Sequence, residues 1–358
     1  KEEEGREARF SIKVTSKDNL NSTLEESAAE ISDDVVPLIL RRIGKNKFED
    51  LKASEEDFEI SGAVTTSVQW RGGYRKSAVL WNWDNEAAES LAKGESSDSF
   101  DIEVLINGAK TETDKLPEVQ GDPRVFWQTA ELNEQEIEAI KRLYVLFNNG
   151  NLREEFGDQV RAAGHTHIVA VEKIWERIFI SDAKFLVGER EYEFEHSIKG
   201  MRKFSKVLSL ILEPVLNDVY PEHPTFSKPL GKKEVSVLVS DLFSGARANI
   251  AGVQDLAAIF AKPLGLVVQD GQDFVVESDE TLSKLPLVEK LLTLVACSEE
   301  GKVSLKAIYR SLKEAPFGLV KEAQHLILAA LVAKRKIDFV TEKGDRINNR
   351  SLDLNIIW

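Results

Sequence analysis

The chain has 358 residues, more than one apolar core usually serves, which predicts two to three domains. Its formal charge of −14 argues against a surface coated in nucleic acid, because phosphate binding needs positive surface, yet it leaves room for a local basic face. One cysteine, Cys297, excludes an internal disulfide and any multi-cysteine metal site, and no run approaches the ~18 unbroken apolar residues of a membrane span; a reducing cytoplasm and no membrane partner are expected.

The sequence opens KEEEGREARF, without Met and without the apolar centre of a signal peptide, which predicts a fragment or processed piece of something longer. Residues 1 to 57 alternate Lys and Glu with amphipathic stretches, and Asp33 and Asp34 precede VVPLILRRIG as a helix start with Pro37 in its first turn. ISGAVTTSVQW and YRKSAVLWNWD read as two strands joined at Arg71-Gly72-Gly73, with Trp70, Trp81 and Trp83 on the hairpin. Three tryptophans on one hairpin suit either a binding platform or a sheet packed on helices, and buried area is the commoner use of such rings. EAAESLAKGESSDS predicts a helix ending at Gly94. FDIEVLING is a further strand, GAKTETDKLPEVQGDP a charged loop, and RVFWQTAEL leads into NEQEIEAIKRLYVLF, where Asn133 and Glu136 have capping-box spacing.

Asn151 to Asp218 reads as mostly helical. Val169, Ile174, Ile178 and Phe179 mark an inner face, and MRKFSKVLSLILEPVLNDVY is an amphipathic helix carrying Pro214. The prolines of YPEHPTF then predict an extended exit. KEVSVLVSDLF, VQDLAAIFAKPLGL and VVQDGQDFVVES give helix, helix and a hairpin turning at Asp270-Gly271-Gln272. LPLVEKLLTLVACSEE is a helix, KVSL a β-favouring run, KAIYRSLKEA a second helix, and Phe317-Gly318 a turn into the long helix LVKEAQHLILAALVAKRK. IDFVTEKGDRI closes the series as a second hairpin.

Helix, strand, helix, turn, helix and hairpin in that order predict a winged helix over 284–358, and the weaker helix-helix-hairpin pattern before it predicts another over 227–283. The third helix of such a module is the usual groove reader. Here Leu319, Val320, Ala323, Leu326, Ile327, Ala330, Leu331 and Val332 cover well over half its circumference, which predicts burial. Only Lys321 and Gln324 offer base-reading chemistry on it, so packing or protein contact is expected. Candidate nucleic-acid contacts, to phosphates only, are Lys334, Arg335, Lys336, Lys343, Arg346 and Arg350.

No catalytic motif accompanies these elements. Walker A needs Gly, four residues, then Gly-Lys-Ser/Thr, whereas Gly44-Lys45, Gly231-Lys232 and Gly301-Lys302 are followed by Asn46, Lys233 and Val303. His165-Thr166-His167 is the only stretch with metal-site character, but two imidazoles are half a zinc site and His196, His223 and His325 lack ligand spacing. No metal, cofactor or catalytic residue is therefore assigned. Cys297 is read as a core filler on the apolar side of its helix.

FDIEVLI, RVFWQTAELNEQEIEAIKRLYVL, VYPEHPTF, AKPLGLV and APFGLVKEAQHLILAALVAKRKI together resemble the carboxy-terminal half of large bacterial P-loop ATPases of phage-defence islands, of the BREX and phage-growth-limitation type. The resemblance covers roughly residues 100 to 345, with Tyr220-Pro221-Glu222-His223-Pro224 and Pro316-Phe317-Gly318 its most specific pieces. It implies a longer parent whose amino-terminal domain handles ATP and magnesium, with this region as its non-enzymatic accessory part.

The combined reading is an α+β, multi-domain chain of mixed α/β segments (1–99 with the Trp-rich hairpin, 100–150), a helical region (151–226) and winged-helix modules (227–283, 284–358). Its expected role is contact with protein partners of a defence system, or weak, sequence-independent contact with DNA. A transcription-regulator module remains an alternative, as does a stand-alone enzyme whose site gathers dispersed acids with His165, His167 or His223.

Overall fold

The computed structural model describes residues 17–52, 63–82, 100–110, 124–194, 196–298, 301–340, 344 and 346–347. Trp83, the predicted helix ending at Gly94 and most of the charged loop before Arg124 lie outside the described residues, as do Lys343 and Arg350.

The first half is mixed α/β. Helices α1 (Lys17–Ala29), α2 (Val35–Lys47) and α3 (Glu49–Lys52) precede strands β1 (Ala63–Trp70), β2 (Gly73–Asn82), β3 (Ile102–Asn107) and β4 (Arg124–Gln128). Next come α4 (Glu134–Asn148), α5 (Gly150–Phe156), α6 (Asp158–Glu176), β5 (Lys184–Val187), β6 (Arg190–Tyr192) and α7 (Phe204–Val219). The six strands form one sheet in sequence order. β2, β3 and β4 run parallel, while the outer pairs β1–β2, β4–β5 and β5–β6 are antiparallel.

The 63–82 hairpin turns at Arg71-Gly72 as read, with both residues at positive φ. Its tryptophans pack inward: Trp70 and Trp81 are buried. Asn133 caps α4 reciprocally with Glu136, as their spacing predicts. The region read as helical over 151–226 is mostly so, but it also holds a short hairpin, β5 and β6, of which β5 joins the sheet by pairing with the distant β4. Val169 is also corrected. The buried stripe of α6 and its extension is Val171, Trp175, Ile178 and Phe179, at i, i+4, i+7 and i+8, and Val169 stands two residues off it, 40% exposed.

After α6 the backbone widens into a π turn over Arg177–Ser181, where Asp182 N–H donates to the Arg177 carbonyl. The sheet uses the neighbouring carbonyls: Trp127 Nε1 donates to Phe179 O at 2.6 Å and Ala130 N–H to Ile178 O at 2.9 Å. One large apolar cluster joins α2, α4, α6 and α7 to both ends of the sheet, and a smaller one lies between α1, α4, α5 and α6.

The second half is helical with two small hairpins. Helix α8 (Lys232–Val237) widens into a π turn over Leu238–Phe243, α9 (Ala251–Leu256) does so over Ala257–Ala261, and the hairpin β7 (Val267–Asp270) and β8 (Asp273–Val276) follows. Then come α10 (Asp279–Ser283), α11 (Pro286–Ala296), α12 (Leu305–Lys313), α13 (Lys321–Ala333) and the hairpin β9 (Phe339–Val340) and β10 (Arg346–Ile347). KVSL is not a strand, because the Ser304 side chain accepts from Ala307 N–H and starts α12 there. Cys297 is exposed rather than a core filler. It ends α11, whose buried side is Leu287, Val288 and Leu291, and six residues past Leu291 the helix has turned away.

The burial expected of α13 is observed: every residue from Ala323 to Val332 is buried. Gln324 Nε2 donates to the carbonyls of Leu319 (2.7 Å) and Tyr309 (3.2 Å), and Tyr309 Oη and His325 Nε2 are 3.0 Å apart. This second apolar cluster runs from Phe226 to Ile347.

Candidate functional site

Two short sequences distant in the chain, Tyr220–Pro224 and Pro316–Gly318, meet at the turn of the first hairpin. Glu222 N–H donates to Pro316 O at 3.2 Å, Phe226 N–H to Arg71 O at 3.0 Å and Leu230 N–H to Gly72 O at 2.9 Å. Gly318, at φ +56°, lies flat against Tyr220; a Cβ there would sit 2.3 Å from the ring. The two large apolar clusters of the molecule therefore abut across a polar seam.

A cation fills that seam. Arg75 is 1% exposed, its guanidinium lies 5.0 Å from the Trp70 ring centre and 5.1 Å from that of Tyr220, and it donates to the Gly318 carbonyl. Arg71 covers the same Trp70 ring at 4.7 Å and donates to the carbonyls of His223 (2.8 Å) and Tyr220 (3.5 Å). Trp70 Nε1 donates to Asn217 Oδ1 at 3.1 Å. The sequence reading missed Arg75, although strand parity points to it: Arg75, Ser77, Val79 and Trp81 share one face of β2, and all four are buried.

His223 sits 4.6 Å from the Trp70 ring, centre to centre. Its Nδ1 is 2.6 Å from Pro224 O, and since a carbonyl only accepts, Nδ1 carries the proton and Nε2 is a bare acceptor. Burial and the Arg75 charge push its pKa down to about 3, against the Pro224 bond that favours protonation and with a smaller push from Arg71. The imidazole is neutral at physiological pH. The seam is filled by its own rings and guanidinium groups.

The remaining histidines are dispersed. His165 and His167 lie on α6 rather than on a strand, so a two-residue step turns them to different sides: His165 is exposed and His167 half-buried, its pKa lowered by burial and by Arg142. Among the described residues, no three or more of His, Cys, Asp and Glu gather as a metal site.

Of the phosphate-contact candidates, Lys334 is half-buried at the end of α13 and Arg335 is exposed with φ +57°. Lys336 pairs with Asp279 at 3.4 Å and Arg346 with Asp338 at 3.9 Å. Gln324 points inward, as above, and Lys321 stays exposed beside the Tyr309 ring at 5.8 Å.

Comparison with protein-family models, with curated proteins and with solved structures gave no match. No helix among the described residues is long and apolar enough to cross a membrane.

Both carboxy-terminal hairpins carry exposed aliphatic side chains. Val268 and Val275 face each other across β7–β8 at 43% and 40% exposure, and Val340 on β9 is 48% exposed. From Pro263 to Ser283 the chain carries five acids (Asp270, Asp273, Glu277, Asp279, Glu280) and no Lys or Arg. A hairpin of that charge repels phosphate and offers an aliphatic, acidic edge instead.

Proposed function

We propose that this chain is a non-catalytic interaction region that holds protein partners through its two carboxy-terminal helix–hairpin units, each a winged helix. In this reading it is the accessory part of a bacterial, cytoplasmic P-loop ATPase of a phage-defence system, with ATP and magnesium handled by another domain of that parent. The observation that carries it is the burial of α13 from Ala323 to Val332. A helix in the recognition position that spends its glutamine on internal carbonyls keeps only Lys321, at its first residue, as a side chain suited to base edges. The exposed valines of both hairpins and the acidic character of β7–β8 favour protein over DNA as the partner.

The test is co-purification with proteins encoded beside its gene. A stoichiometric complex is expected with the wild-type chain, and its loss with Val268→Asp, Val275→Asp and Val340→Asp combined, at an unchanged melting temperature. A salt-resistant, sequence-selective duplex complex formed by the chain alone would sink the proposal.

A further inference from the structure

Exposed positive charge also gathers in a stretch of this acidic chain that no motif marks. From His196 to Leu212 the sequence has four cations, Lys199, Arg202, Lys203 and Lys206, and no acid. All four are exposed, as is His196. Lys199, Lys203 and Lys206 make no ion pair among the described residues, and Arg202 meets Glu49 at 3.6 Å with its own side chain 81% exposed. Cations of α2 and α12, helices without acids, have partners within the fold. On α2, Arg41 covers Trp81, Arg42 covers Phe147 and Lys47 pairs with Glu176. On α12, Arg310 meets Glu314 and Lys313 meets Asp101.

The stretch is also held in place. Ile198 and Phe204 are buried, Met201 N–H donates to Ile198 O at 3.0 Å around Gly200 at φ +81°, and Glu49 N–H donates to Arg202 O at 2.7 Å. Lys203 and Lys206 stand three apart at the start of α7 and share a side of it. Cations at a helix start oppose its dipole, and Lys203 occupies the position where Ser, Thr, Asp or Asn is preferred. The amides of Phe204 and Ser205 are capped instead by Asp50, from α3, at 2.6 and 2.9 Å. The fold thus imports a cap from elsewhere while the local sequence keeps its cations, a local rule broken without a local gain.

We infer that Lys199, Arg202, Lys203 and Lys206 form a binding surface for the phosphodiester backbone of nucleic acid, read without regard to sequence. The inference does not depend on the protein-contact reading of the hairpins. The net charge of −14 does not oppose it, because charges beyond about 8–10 Å are screened at physiological salt. A lipid surface is the poorer fit, since Ile198 and Phe204 are buried and Met201 packs half-buried against the core, which leaves little apolar surface to insert.

The experiment is fluorescence anisotropy of a labelled mixed-sequence DNA duplex with the full chain across a salt series, beside sedimentation with phosphatidylserine vesicles. If Lys199, Lys203 and Lys206 meet phosphates and Arg202 stays partly compensated by Glu49, log affinity should fall against log salt with a slope of about −2.7 or steeper, at roughly 0.9 for each phosphate neutralised. Combined Lys199→Glu, Arg202→Glu, Lys203→Glu and Lys206→Glu should lower affinity at least tenfold at low salt, and the milder Lys203→Gln with Lys206→Gln should flatten the slope by about 1.8 at an unchanged melting temperature. Lys334→Glu with Arg335→Glu should bind like wild type. No duplex binding at low salt, unaltered affinity in the Gln pair, or binding to vesicles in place of DNA would each overturn the inference.

Discussion

The two apolar cores of this protein are closed by different means. In the sheet half the packing is shared among rings on separate elements: Trp127 touches Phe185 at 5.3 Å and Phe204 at 6.2 Å between centres, and Trp175 stacks on Phe179 at 4.6 Å. In the carboxy-terminal half one helix, α13, is surrounded on all sides and supplies ten consecutive buried residues. A core spread over many strands and rings tolerates the loss of one contact; a core threaded by one helix does not. The seam between them is polar, so the halves can fail separately.

The largest expected effect breaks the helical core alone. Leu326→Asp places an unpaired charge at a fully buried position, a cost of several kcal/mol against a total stability of roughly 5–15 kcal/mol. Limited proteolysis should then degrade the chain beyond about Phe226 while the sheet half persists. An unchanged melting curve would show that α13 is not the spine described here.

Next in size is the joint. Gly318→Ala forces a methyl into the Tyr220 ring at a left-handed backbone position, at a cost of roughly 2–4 kcal/mol from strain and overpacking together. Arg75→Ala also loosens the joint, by removing the donor to Gly318 O and the cation between two rings. Both should increase protease sensitivity at Tyr220–Phe226 ahead of either core. Cleavage elsewhere first would mean that the seam is not the weakest link.

Much of this architecture is legible in the residues because the signals are local. Hairpin turns at Gly72 and Gly271, the Asn133 cap and the all-round apolar α13 each follow from a few neighbouring positions. β5 and β6 were illegible, being only four and three residues long, with β5 tied to the sheet through the distant β4. The seam was hidden for a related reason: nothing in Tyr220–Pro224 or Pro316–Gly318 states that they touch, and only the parity of β2 hints that Arg75 points inward. The phosphate-contact candidates at 334–346 looked free because Asp279, which neutralises Lys336, lies 57 positions earlier.

A smaller effect comes from pH. His223 has a folded pKa of about 3 against an ordinary 6.5, so below pH 6.5 the unfolded chain takes up a proton that the folded one refuses. Stability should therefore fall as pH drops from 6.5 toward 3, by at most about 1.4 kcal/mol per pH unit from this group. Glu322, raised by burial, acts with the opposite sign above 4.5, so the readout is the difference between wild type and His223→Gln rather than either slope alone. Chemical denaturation at a series of pH values should show the variant's stability depending less on pH over that window. Parallel curves would remove the buried, neutral imidazole from the account of the joint.

The smallest effect separates cations that are spent from cations that are not. Lys336 and Arg346 sit on acids at the protein surface, with side chains 31% and 79% exposed, and such pairs contribute about 0–1 kcal/mol each. Lys336→Ala with Arg346→Ala should thus move the melting temperature by a few degrees at most. It should also leave the salt dependence of duplex binding unchanged, since a cation already facing a carboxylate releases few counterions from DNA. The unpaired side chains of Lys199, Lys203 and Lys206 carry no such compensation, so their substitution should do the reverse, altering the salt slope and sparing the melting curve. If the double alanine variant lost duplex affinity instead, the Asp279 and Asp338 pairs would have to open on binding, and the carboxy-terminal hairpin would be the phosphate-contacting face after all.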